Sequence, residues 1–275
     1  MHTLTFCVSL LITSTLAEPT LGSPRLENAQ TLAMGGAGQS NGFSNLAMLN
    51  NAATTVFLPR YSIETAYFND PALGWKTWIT SLVDSTNRAA GGLIYAQSKT
   101  SNTTLHQIIG SSGFSLGDTM AIGINVRRIQ GNGEWSPLKD DESFWSSDLS
   151  VAIRVMPQWF TGWAWRSIGK RPSAPLPESA HILSTAWLGM GFTVALDIEV
   201  PSAEDKENHY KLGTEYIAAR NIPLRLGWNY KDGQGHQLGL GLGWLEKSGA
   251  LDLGFTKNFY DEKEWAWSAG LRLFY

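Results

Sequence analysis

Apolar side chains recur at every second position through most of the chain beyond Tyr61. Residues 236–245 put Leu238, Leu240, Leu242 and Trp244 on one face and Gln237, Gly239, Gly241 and Gly243 on the other. Residues 222–231 oppose Ile222, Leu224, Leu226, Trp228 and Tyr230 to Pro223, Arg225, Gly227, Asn229 and Lys231. Phe192, Val194, Leu196 and Ile198 alternate with Thr193, Asp197 and Glu199, and Leu149, Val151, Ile153 and Val155 with Asp148, Ser150 and Arg154. Met120, Ile122, Ile124 and Val126 oppose Gly123, Asn125 and Arg127. Period two marks strands with one apolar and one polar face. About fourteen segments of roughly ten residues fit between Tyr61 and the C-terminus, the length that carries a tilted strand across a bilayer. Segments 75–83, 104–114 and 181–190 alternate poorly, so their faces are not assigned. Pro71, Pro137, Pro157, the run 172–177 and Pro201 fall between strands, where breakers belong. Residues 131–143 and 201–209 read as charged loops.

A soluble sandwich would alternate in the same way. Two features favour a transmembrane antiparallel β-barrel. The polar face carries charge and glycine in mid-strand, which suits a crowded, wet lumen. Trp and Tyr fall near strand ends, as at Tyr61, Tyr67, Trp75, Trp78, Tyr95, Trp145, Trp159, Trp163, Trp187, Tyr216, Trp228, Trp244, Tyr260 and Trp265. An indole or phenol with an apolar body and a polar tip settles at a membrane interface. The last residues, WAWSAGLRLFY, alternate strictly and end on an aromatic: Trp265, Trp267, Ala269, Leu271, Leu273 and Tyr275 share one face, Ser268, Gly270 and Arg272 the other. Ser268, Gly270, Leu273 and Tyr275 resemble the C-terminal insertion signal of outer-membrane barrels. In that resemblance the last strand is what the barrel-assembly machinery binds.

Composition narrows the class. Charged residues are 16% of 275, glycines number 28, and the net charge is −3. No apolar run of about 20 residues, the length of a membrane helix, follows the N-terminus. With 43% hydrophobic and 11% aromatic residues the chain has too much to bury to stay disordered. It lacks the basic footprint of a nucleic-acid partner. Thr3–Leu16 has the length and apolarity of a secretory core, and Thr15-Leu16-Ala17 offers small residues at a cleavage site, so residues 1–17 read as a cleaved signal peptide, without a basic n-region. Cys7, the one cysteine, lies inside it, which leaves the mature chain without thiol chemistry.

Residues 29–53 resemble the opening signature of the FadL/PorV-like outer-membrane proteins. Leu32, Met34, Gly35, Gly36, Ala37 and Gly38 match its glycine-rich run, and Asn50-Asn51-Ala52-Ala53 its Asn-Pro-Ala element, with Asn51 in place of proline. Segments 111–130 and 145–168 are similar to the family's mid-barrel strands, 175–177 to its Leu-Pro element, and 212–230 to its Gly-x-Glu-Tyr … Leu-Arg-x-Gly-Tyr hairpin, with Trp228 where tyrosine is common. The resemblance implies a barrel over 59–275 with residues 18–58 as periplasmic lead and luminal plug. It also implies one of two roles: inward transport of hydrophobic molecules, as in the FadL branch, or a scaffold or shuttle subunit for secretion, as in the PorV-like branch. Short length and the hairpin favour the second branch; neither feature names a substrate.

Chemistry is sparse. The Gly35–Gly38 run lacks the Lys-Ser or Lys-Thr and the preceding strand of a phosphate loop. His106, His181, His209 and His236 stand singly, and no Gly-x-Ser-x-Gly elbow occurs. No catalytic centre, cofactor or metal is expected. The alternation instead nominates lumen residues: Arg127, Asp148, Arg154, Asp197, Glu199, Lys211, Glu215, Arg225, Asp252 and Arg272. Unpaired charge in a narrow interior is costly, so these should pair across strands or onto the plug. Expected partners are outer-membrane lipid, the assembly machinery, and either a hydrophobic solute or secretion-system proteins; a soluble β-sandwich is the remaining alternative.

Overall fold

In the computed structural model, residues 24–41, 44–133, 143–168, 179–203, 206–231, 235–259 and 264–275 are described. The region read as a signal peptide and Tyr260, Pro137 and the 172–177 run lie outside them. Fourteen antiparallel strands close into one barrel. They are β1 (Tyr61–Asp70), β2 (Trp75–Asp84), β3 (Ala89–Lys99), β4 (Thr103–Leu116), β5 (Met120–Gly133), β6 (Ser143–Met156) and β7 (Trp159–Ile168), then β8 (Ala180–Gly189), β9 (Phe192–Pro201), β10 (His209–Ala218), β11 (Ile222–Lys231), β12 (Gly235–Glu246), β13 (Gly249–Asn258) and β14 (Trp265–Phe274). Every strand pairs with its sequence neighbours, and β14 closes on β1, from Ser62 opposite Phe274 to Asn69 opposite Trp267. Closure leaves no row of unpaired backbone groups, the condition for a sheet to stand in lipid.

The two ends differ. At one end, which holds Tyr61 and Tyr275, the connections are the tight turns 85–88, 117–119, 157–158, 190–191, 219–221 and 247–248. The other end carries 71–74, 100–102, 134–142, 169–179, 202–208, 232–234 and 259–264. These are called the termini end and the loop end below. The asymmetry is that of transmembrane barrels, whose long connections share one side. Pro71 and Pro157 sit in turns; Pro201 instead closes β9 as its last residue.

The outward face is apolar along its middle. Leu224, Leu226, Leu240, Leu242, Leu251 and Leu253 are between 43% and 59% exposed. In water such a surface would drive association; in hydrocarbon it is the resting state. Exposed aromatics ring both ends: Trp78, Trp145, Trp265 and Trp267 towards the loops, Trp159, Trp187, Tyr216 and Trp244 towards the termini. Trp75 departs from this pattern. It is fully buried on the inward face, packed with Leu105 and Ile129, because β2 begins there and residues 75, 77, 79, 81 and 83 all point inward.

The poor alternation of 75–83 and 104–114 now has a physical cause. Inside the barrel lies an N-terminal segment containing α1 (Ala29–Ala33), α2 (Ala47–Asn50) and a 3-10 turn (Ala52–Phe57). Leu46, Met48 and Leu49 pack against Ile79, Val83, Ile94 and Ile109, so the inward faces of β2, β3 and β4 are apolar too. Where both faces are apolar, period two disappears from the sequence.

Candidate functional site in the barrel interior

The segment is fitted to the wall backbone to backbone. A Cβ at Gly227 would strike the backbone of Met34 and Gly35, one at Gly254 the carbonyl of Ala29, and one at Gly123 the amide of Ala53. The mid-strand glycines of the polar face are therefore docking grooves. Gly35 and Gly36 follow α1 with φ of 65° and 78°, and Gly38 has φ of 111°. These left-handed values favour glycine and turn the chain back on itself. Met34 (0% exposed) packs with Ala37, Ala186 and Ala195.

Polar anchors hold the segment at both sides. Asp197, fully buried, accepts the amides of Gly38 (2.9 Å) and Gln39 (3.1 Å). Glu64 accepts the Asn45 amide at 2.9 Å and the Asn28 side chain. Asn51 accepts from the Ala53 amide at 3.1 Å, capping the 3-10 turn, and donates to the Val151 carbonyl at 3.1 Å. Asn50 ends α2. Arg25 meets Asp70 at 2.8 Å near the loop end, so the described part of the segment starts there and runs through the interior to Arg60 at the termini end. Burial works against the Arg25 charge, but Glu27 and Asp70 outweigh it and raise its pKa. Burial and the nearby Arg272 lower Arg60, against the pull of Glu64, to about 10, which leaves it charged at neutral pH.

The ten lumen residues nominated by alternation all lie on the inward face. Arg225 bridges Glu215 (2.5 Å) and Asp252 (2.6 Å), and Arg272 stands 3.5 Å from Asp252. Lys211 pairs with Glu199 at 2.8 Å, and Arg166 pairs with the same carboxylate. Arg127 lies 3.6 Å from Asp148, whose other oxygen accepts the Ser167 amide at 2.7 Å. Arg154 differs: it bonds the Phe57 carbonyl at 3.1 Å and lies over the Phe57 and Phe160 rings. Sequence reading missed Glu64, Asp70, Asn45 and Arg166. Alternation could have found Glu64 and Asp70 on β1 and Arg166 on β7, where Phe160, Ala164 and Arg166 share the inward face; Asn45 lies outside the strands, where no period applies.

At the C-terminus, Ser268 is buried and donates to the Tyr67 carbonyl at 2.9 Å, while Leu273 faces outward. Gly270 pairs with Ala66, and the Tyr275 amide donates to the Tyr61 carbonyl at 3.0 Å. These residues form the closing seam.

Between the segment and the termini end lies a cavity of about 670 Å³. Its wall is largely apolar, with Leu58, Leu188, Ile217, Pro223, Leu245 and Phe274. Arg60, Thr193, Glu215, Arg225, Arg272 and Gln30 contribute to its polar part, and the Gln30 Oε1 is buried without a hydrogen-bond partner among the described residues. A cleft of ~300–1,000 Å³ with an apolar lining and a few polar groups is the common form of a small-molecule site. Among the described residues no group of His, Cys, Asp and Glu could hold a metal ion.

A closed fourteen-stranded antiparallel barrel, apolar outside and charged within, is a transmembrane β-barrel of the outer-membrane type. Its fold matches that of FadL-type barrels. The toluene transporter TbuX of Ralstonia pickettii superposes with a TM-score of 0.62 at 12% identity, covering 90% of this chain and 97% of that one. The toluene transporter TodX of Pseudomonas putida gives 0.63 at 12% identity over 93% and 98%. The CymD monoaromatic hydrocarbon channel gives 0.60 at 12% identity over 94% and 97%. No family model and no curated protein matches the sequence.

Proposed function

We propose that the protein carries small hydrophobic molecules across the outer membrane of a Gram-negative cell, with its termini end in the periplasm and no enzymatic step. One observation carries this reading: a lumen packed by residues 24–59 that leaves an apolar-walled cavity of about 670 Å³ instead of an open aqueous pore. The likeness to barrels described as toluene and monoaromatic hydrocarbon transporters supports the solute class. Residues 24–58 of the expected lead and plug stretch serve as the plug, after removal of 1–17, and the β14 seam serves as the insertion signal read by the assembly machinery.

Leu32, Met34, Leu46, Met48 and Leu49 are buried, and Asp197 and Glu64 anchor the backbone of the plug to the wall. The gating step is therefore a local shift beside the wall and not ejection of the whole plug. A sideways exit for apolar cargo would open at the β6–β7 seam. Its register shifts twice, between Ser147 and Leu149 and between Arg154 and Met156, and Asn51 of the plug reaches the Val151 carbonyl there.

Planar-bilayer recording tests the reading. The intact protein should show little general conductance, and deletion of residues 29–53 should raise it. Large constitutive channels in the intact protein overturn it. The second reading, a PorV-like scaffold or shuttle, rests on the β10–β11 hairpin, which sets Glu215 opposite Arg225 and Tyr216 opposite Leu224. It predicts stoichiometric protein partners on extraction and no uptake of apolar solute.

A further inference from the structure

Charge on the outward face is sorted by height. Among the described strand residues, the outward basic side chains are Lys76, Lys99, Arg128 and Lys257, all towards the loop end; the outward acidic ones, Asp84 and Glu246, lie at the termini end. Three of the four cations lie within β2–β5, on β2, β3 and β5. Lys76 of β2 and Lys99 of β3 are direct cross-strand partners. Gln97 sits opposite both Trp78 and His106, and Ile108 opposite both Tyr95 and Arg128, whose next partner is Trp145. Lys76, Lys99, His106 and Arg128 thus occupy successive outward rungs of β2–β5 inside the aromatic girdle.

One feature shows that this patch is incomplete in the isolated chain. Like charges placed directly opposite in a sheet repel, and Lys76 and Lys99 have no carboxylate partner among the described residues. Arg128 stands two outward rungs closer to the midplane, over the Trp145 ring. A phosphate supplies what is missing, negative charge between the two ammonium groups. At the height of the girdle, such an anion comes from a lipid head group.

We propose that the outward face of β2–β5 at the loop end binds the phosphorylated head group of an anionic lipid in the surrounding leaflet. The ammonium stems of Lys76 and Lys99 rise along the apolar wall to the phosphate, Arg128 adds positive charge closer to the midplane, and Trp78, Tyr95 and Trp145 lie along the acyl–sugar boundary. Naming a phosphorylated glycolipid of the outer leaflet as occupant rests on the outer-membrane orientation proposed above.

The test uses the full mature chain in phosphatidylcholine nanodiscs doped with equal amounts of bis-phosphorylated lipid A and its dephosphorylated product, with retained lipid counted by native mass spectrometry. The wild type should retain the phosphorylated form about ten-fold or more over the other. The triple variant K76S/K99S/R128Q, checked for folding by heat-modifiable gel migration, should fall to within about two-fold, and K257S should keep the preference. Should the triple variant misfold, K76S alone should lower the preference. Equal retention of the two lipids by the wild type overturns the proposal, as does an unchanged preference in the folded triple variant or displacement of the lipid by excess inorganic phosphate. The orientation is read separately, by thiol labelling of an Ala203→Cys variant on intact cells. Labelling only after lysis would overturn the orientation and leave the nanodisc result standing.

Discussion

Arg225 holds two carboxylates, at 2.5 Å from Glu215 and 2.6 Å from Asp252, in a site where its own side chain is 2% exposed. Removing one member of a buried ion group costs about 3–5 kcal/mol, chiefly because the partner charge is stranded. Arg225→Met should therefore lower the unfolding free energy of the vesicle-inserted barrel, read from its urea transition, by an amount of that order. Adding Glu215→Met should restore at least half, because Asp252 keeps Arg272. A single variant that unfolds with the wild type would show that water reaches the cluster. Asp197→Asn tests a different bond. One oxygen of its carboxylate accepts two backbone amides of the segment, Gly38 and Gln39; asparagine keeps an acceptor oxygen for them but removes the negative charge that strengthens both bonds. A loss of about 1–3 kcal/mol is expected in the hold on the segment, seen as faster protease cleavage near residue 40 with an unchanged barrel. These inward residues were legible from the sequence because alternation reports a face. Their partners were not, since Asp197 meets Gly38 across 159 positions and no spacing rule reaches so far.

At the scale of elements, the strands came through wherever one face met lipid and the other met charge. They faded where α2 lies against the wall and Ile79, Ile94 and Ile109 face inward as an apolar bed. The same packing put Trp75 inside, although its place at a strand end reads as girdle. Glycine carried a signal that the sequence showed without its reason. Gly227 and Gly239 lie in strands to let α1 approach, a contact between backbones that leaves no side-chain pattern. Gly227→Val should block docking of residues 32–36 and expose the segment to thermolysin. Gly110→Val, where an added Cβ meets nothing within 4 Å, should leave the digestion pattern unchanged. Equal resistance of both variants would mean that the segment does not rest on β11.

For the molecule as a whole, barrel closure was legible and the cavity was not. Strand count follows from length and period, whereas the cavity is assembled from the last inward residues of several strands, such as Leu188, Ile217, Leu245 and Phe274, each unremarkable in its own segment. If solute passes through this space, its volume limits what passes. Ile217→Trp adds a large ring to a cavity of about 670 Å³ while its strand neighbours stay as they are. Uptake of radiolabelled toluene by cells expressing this variant should drop several-fold. Bilayer conductance should stay low, and the folded, heat-modifiable form should reach wild-type levels, because Ile217 lies at a strand end and takes no part in the bonds of Arg225 or Asp197. Uptake as fast as wild type in a folded Ile217→Trp barrel would place the solute path elsewhere along the wall. Loss of uptake together with loss of the folded form would point to packing, and Ile217→Phe, a smaller intrusion, would then separate size from stability by its graded effect.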